Sequence, residues 1–138
     1  MSTNEGRVYF ALDGDDFDPD DITLMLGIKP SYIKRKGERV PGRLPKKNSW
    51  VLSTDNIVAD YIDIFNLSTD IVNQLKSKKD LIIQAKNKFN VSPRFEVVLS
   101  ITTNEEISTP AIGFEADTIQ FLGEIGAFID IDTYRNQC

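Results

Sequence analysis

Short runs of β-branched and aromatic residues punctuate the chain and predict its strands. "RVYFALDG" reads as a first strand, about Arg7 to Leu12. "SWVLST" reads as another, with Trp50 and Leu52 on one side. "RFEVVLSITT" is the strongest strand signal. In "AFIDIDTY" the alternation is explicit: Ile129 and Ile131 face one way, and Asp130, Asp132 and Tyr134 the other. A shorter edge piece is expected at Tyr32 to Lys36, forming a hairpin with "SWVLST".

Helical spacing appears between these runs. In "DPDDITLMLG" Asp18 is a natural N-cap and Pro19 suits the first turn. Asp20 and Asp21 meet the positive helix end, and Gly27 stops the helix. Ile22, Met25 and Leu26 form its apolar stripe. "DYIDIF" fits either period. From Ser68, with Ser68 or Thr69 as cap, Ile71, Leu75, Ile82 and Phe89 mark a helix with a possible break near Ser77 to Lys79. "AIGF" suggests a short extended piece. "EADTIQFLGEIG" suggests a helix stopping at Gly126, with Ile119, Leu122 and Ile125 inward. No repeat or linker interrupts the chain, so residues 1–138 are expected to form one α+β domain. Its mixed, mostly antiparallel sheet would be packed on one face by two or three helices.

Composition narrows the chemistry. At 41% hydrophobic and 27% charged residues, the chain can close an ordinary core without disulfide or metal. The only cysteine is Cys138, which excludes an internal disulfide and a cysteine zinc cluster. There is no histidine, so the commonest general base and transition-metal ligand are missing. The start "MSTNEGR" has no secretion-signal layout, and no apolar run is long enough to span a bilayer. A cytoplasmic protein is expected. The net charge of −5 disfavours nonspecific binding to nucleic acid or anionic membrane. That charge is segregated: residues 34–50 carry seven bases and one acid, while 1–33 and 94–138 are acidic.

The ordered set "FDPDDITLMLGIKP", "KGERVPGR", "SWVLST" and "LGEIGAFIDIDTY" resembles a small bacterial family of unknown function, DUF4279. The likeness covers most of the chain. "WVLST" departs from the family pattern, in which Ser is followed by an acid; Thr54 intervenes before Asp55. The resemblance implies a bacterial cytosolic α+β domain and no particular activity. An immunity-type role suits a small acidic domain only by analogy.

Three groups of residues are candidates for function. The first is "DGDDFDPDDIT", with six aspartates between Asp13 and Asp21. A calcium loop starting at Asp13 would need Gly and Glu where Asp18 and Leu24 stand, so that motif fails. The local reading gives Asp18 to the cap, Asp20 and Asp21 to the helix dipole, Asp13 with Gly14 to a turn, and Asp15 and Asp16 to solvent. The second is Asp130, Asp132 and Tyr134 on one strand face. These could pair with Lys34, Lys36 or Arg39, bind a partner, or act on a metal. The third is the basic segment containing Lys34, Lys36, Arg39 and Arg43, flanked by Trp50. It is either a solvated loop or a contact for an acidic partner. Trp50 is read as a core residue or as a rim aromatic.

The expectation is a non-enzymatic protein-interaction module whose binding residues are Lys34, Lys36, Arg39, Arg43, Trp50, Asp130, Asp132 and Tyr134. No catalytic residue, cofactor or metal is assigned, and oligomeric state is left open. A protein partner is expected, without membrane contact and with nucleic acid disfavoured. Two alternatives stand. One is a metal-dependent or acid–base enzyme using Asp13, Asp15, Asp130 and Asp132; the other is a nucleotide or RNA binder using residues 34–47.

Overall fold

The computed structural model of the chain describes residues 3–38 and 44–136. Six strands form one sheet: β1 (Asn4–Gly14), β2 (Tyr32–Lys34), β3 (Asn48–Ser53), β4 (Ile57–Ala59), β5 (Ser92–Thr102) and β6 (Phe128–Asn136). The order is β2-β3-β1-β5-β6, with β4 also paired to β1. β1 runs antiparallel to β3, β4 and β5. The β5–β6 pair is parallel. A parallel pair needs a crossover, and α4 (Ala116–Ile125) supplies it. Helices α1 (Pro19–Leu26), α2 (Ile64–Leu75) and α3 (Lys79–Phe89) complete the chain, α2 and α3 being joined by a 3-10 turn at Lys76–Lys78. Counting that bent pair as one rod gives three helical units on one face of a mixed, mostly antiparallel sheet, an α+β domain.

The core sits between that face and the helices. Val8, Phe10 and Leu12 of β1, Trp50 and Leu52 of β3, and Phe95, Val97 and Leu99 of β5 project into it. They meet Ile22, Leu26, Ile64, Ile71, Leu75, Ile82, Phe121, Leu122 and Ile125 from the helices. Trp50 is fully buried. Its indole packs edge-on to Phe10 and donates to Thr23 Oγ1 at 3.0 Å. The core reading of Trp50 therefore holds, and the rim reading is corrected: with no exposed surface Trp50 cannot contact a partner.

Other corrections are local. The second helix starts at Ile64, not near Ser68, because the Asp63 side chain accepts from Asn66 N–H and caps it. Ser68 is buried inside that helix. On α4 the inward residues are Thr118, Phe121, Leu122 and Ile125, whereas Ile119 is exposed. The strand at Ile57–Ala59 lies end to end with β3 along one edge of β1. "AIGF" forms no strand.

Two features of α1 follow the local chemistry of its sequence. Asp18 accepts from Asp20 N–H at 3.0 Å, and this backbone bond, helped by Arg35, holds its carboxyl below the usual value. Gly27 closes the helix in the left-handed conformation at φ 67.

Candidate functional site

The helices leave the second face of the sheet open. Strand register decides what stands there. Tyr9 lies opposite Ser53 and Glu96, and Glu96 lies beside Asp130. One step along, Arg7 is level with Val98 and Asp132; on the other side, Ala11 is level with Val51 and Arg94. Because alternate residues share a face, Arg7, Tyr9 and Asp13 of β1 stand with Arg94, Glu96 and Val98 of β5 and with Asp130, Asp132 and Tyr134 of β6.

Glu96 and Arg94 anchor this face. Glu96 is only 1% exposed although no helix covers it. Arg94 donates from Nη1 to Glu96 Oε1 at 2.6 Å and to the Tyr9 hydroxyl at 2.8 Å. Its Nε donates to Asp13 Oδ2 at 2.8 Å. Asp13 also accepts from the Ser49 hydroxyl at 2.6 Å. Burial alone would lower the Arg94 pKa, but the bonds and charges of Asp13 and Glu96 outweigh it and hold the guanidinium above its usual value. Burial also raises the Tyr9 phenol, against the opposing pull of Arg94.

Glu96 Oε2 is buried and accepts no hydrogen bond. Carboxyl oxygens of Glu96, Asp130 and Asp132 all lie within 4.8 Å of one another. Burial is the main cause that pushes the Glu96 pKa up to about 7; Arg94 opposes the rise, and the two neighbouring carboxyls add to it. Neither Asp130 nor Asp132 has an ion-pair partner among the described residues.

Beside this acidic corner lies a shallow cleft of about 430 Å³, lined by Arg7, Tyr9, Tyr32, Lys34, Val98, Asp132 and Tyr134. Tyr134 is 58% exposed at its rim. Arg7 lies over the Tyr9 ring at 4.9 Å from its centroid, and Lys34 over Tyr32 at 5.8 Å. A second hollow, of about 520 Å³, lies on the helical side between α2 and α4. The exposed Lys79–Glu124 pair is among the residues lining it.

Lys34, Asp132 and Tyr134 thus line one cleft, with Asp130 adjoining it. Lys36 is exposed in the turn after β2, where its N–H donates to Asn48 Oδ1. Arg39 and Arg43 lie outside the described residues. The acidic run from Asp13 to Asp21 divides. Asp13 belongs to the strand and pairs with Arg94, rather than turning the chain. Asp15 and Asp16 are exposed. Asp18 and Asp20 hold Arg35. The set Asp13, Asp15, Asp130 and Asp132 is therefore not brought together as one cluster; the third carboxyl beside Asp130 and Asp132 is Glu96. Sequence reasoning missed Glu96, Arg94 and Tyr9. The available signal was period two in "RFEVVLS", which places Arg94 and Glu96 on the face opposite Phe95 and Val97.

No helix among the described residues is long and apolar enough to cross a membrane. No curated protein and no solved structure matches the chain. A family model described as "Domain of unknown function (DUF4279)" matches residues 4–136, essentially the whole sheet and every helix. The chain belongs to the DUF4279 family.

Proposed function

We propose that this is a non-enzymatic protein-interaction module that receives a partner protein on the open face of its sheet. The observation that carries the reading is the distribution of charge on that face. Three carboxyl groups crowd one corner with a single guanidinium between them and Asp13. Arg7 and Lys34 line the adjoining cleft, with Tyr32 and Tyr134 around it. A partner with basic side chains placed for the acidic corner and acidic ones for Arg7 and Lys34 would dock in a single register. Such complementarity sets association rate and selectivity. The tyrosines offer amphipathic contact area beside it. An immunity-type pairing in the bacterial cytoplasm is one concrete form of this function. The absence of histidine from the sequence supports binding over acid–base catalysis.

The test compares the two faces of the molecule. Wild type, an open-face variant (Asp132→Lys with Tyr134→Ala) and a helical-face variant (Lys79→Glu with Glu124→Lys) are immobilised and challenged with host lysate at low and high salt. A salt-sensitive partner held by wild type and the helical-face variant, and lost by the open-face variant, supports the proposal. Retention by the open-face variant overturns it.

A further inference from the structure

We propose that Glu96, Asp130 and Asp132 bind a hard divalent cation, of the calcium, manganese or magnesium class, at the acidic corner of the open face. This goes beyond partner docking and stands whether or not that docking occurs.

The inference begins with the unmatched atom. Glu96 is 1% exposed, yet its Oε2 has no donor. The carboxyl is not stranded in apolar surroundings: one carboxyl oxygen from each of Glu96, Asp130 and Asp132 lies within 4.8 Å of the other two. Carboxylates only accept hydrogen bonds, so three of them facing one another need a shared proton or a cation. A cation is the more complete solution, because a proton joins only two of the three groups.

The donor set selects the kind of ion. It is all oxygen and triply anionic when ionised, and the chain has no histidine to recruit a borderline metal. Calcium–oxygen bonds of about 2.3–2.6 Å and a tolerant geometry suit a triangle of this size better than the roughly 2.0–2.1 Å octahedron of magnesium.

The surroundings are those of a supported ligand. Arg94 fixes Oε1 and is itself fixed by Asp13 and Tyr9, so Oε2 is the carboxyl oxygen left without a donor. Asp130 and Asp132 come from β6, the edge strand, where solvent can complete the coordination shell. The acidic run at Asp13 to Asp21 makes a useful contrast. Asp13, Asp18 and Asp20 already have basic partners there, and Asp15 and Asp16 are exposed.

Calcium, manganese and magnesium chlorides are titrated separately into chelator-treated protein at pH 7.5, with melting temperature and isothermal calorimetry as readouts. With three protein carboxylates, a dissociation constant on the order of 10⁻⁴ M is expected for calcium. The melting temperature should then rise by about 8–10 °C at 10 mM. Asp130→Asn with Asp132→Asn should abolish both signals while leaving the circular dichroism spectrum unchanged, and Glu96→Gln should weaken binding at least tenfold. Asp15→Asn with Asp16→Asn should keep the full gain. Flat titrations of the folded wild type with all three ions overturn the proposal. So does a gain that survives in the Asp130/Asp132 variant or disappears in the Asp15/Asp16 variant.

Discussion

The two faces of this sheet are made by the same strands and obey opposite rules. On β5, Phe95, Val97 and Leu99 point into a dry core, while Arg94, Glu96 and Val98 point the other way. The covered face is held by shape: apolar side chains of several elements interlock, and Trp50 Nε1 finds its single partner in Thr23. The open face is held by the ion pairs of Arg94 beside a small apolar cluster of Tyr9, Ala11 and Val51. Several of its central residues are nearly as inaccessible as the core, Glu96 at 1% exposure among them.

The contrast is broken most strongly from the covered side. Phe95→Ala removes a fully buried ring that also meets Phe114 edge-on. It should cost about 4 kcal/mol of unfolding free energy by urea titration, whereas Val98→Ala, on the open face of the same strand, should cost less than about 1.5 kcal/mol. Equal losses would mean that the two faces are packed alike.

Arg94→Met attacks the open face at its centre. It leaves Asp13 and Glu96 without their shared cation and should cost about 3 kcal/mol at pH 8. The loss should be smaller at pH 5, where Glu96 takes up a proton.

Stability followed against pH probes the same network from the acid side. With chelator present, Glu96 has a folded pKa of about 7 against an ordinary 4.5. Between these values the folded state holds a proton that the unfolded state has released, so stability falls as pH rises. The contribution is complete below about pH 4.5 and gone above about pH 7. A swing on the order of 2 kcal/mol is expected, below the full value of the shift because the corner borders solvent. Glu96→Gln should flatten the profile in this window; an unchanged slope would assign it to other groups.

The smallest effect concerns the turn that feeds β6. Gly126 adopts φ 71, and a methyl group there would also press on Lys86 Nζ. Gly126→Ala should cost about 1 kcal/mol in chemical denaturation, and Gly123→Ala, which meets only open space, should be neutral or stabilising.

Much of the covered face was legible in the sequence because local signals and tertiary demands agree there. Asp18, Pro19 and Gly27 bound the first helix as their chemistry requires, and Trp50 with Leu52 faces inward as alternation dictates. Legibility failed where a contact distant in sequence decides. Ile119 fits an apolar stripe by spacing, but the fold turns Phe121 and Thr118 inward instead. The short strand Ile57–Ala59 exists because β1 offers it an edge, not because its three residues demand it. The candidate site was half visible. Asp130, Asp132 and Tyr134 announce their shared face through strict alternation. Glu96 does not announce itself, since a lone acid between Phe95 and Val97 gains its meaning only from β6 lying beside β5. Asp13 likewise owes its partner to a strand some eighty residues later, Arg94.

The position of β1 carries a kinetic consequence. As an interior strand it pairs through nine registered residues with β5, from Asp13 with Ser92 to Glu5 with Ser100. During synthesis it must therefore wait with one long edge unmatched while the helices form, and closing so large a loop slows the search for the native pairing. β6 can add its aspartates only beside β5, its one strand partner in the sheet. Nascent chains would expose that waiting edge to other chains, and a chaperone should matter most before residue 92 has emerged.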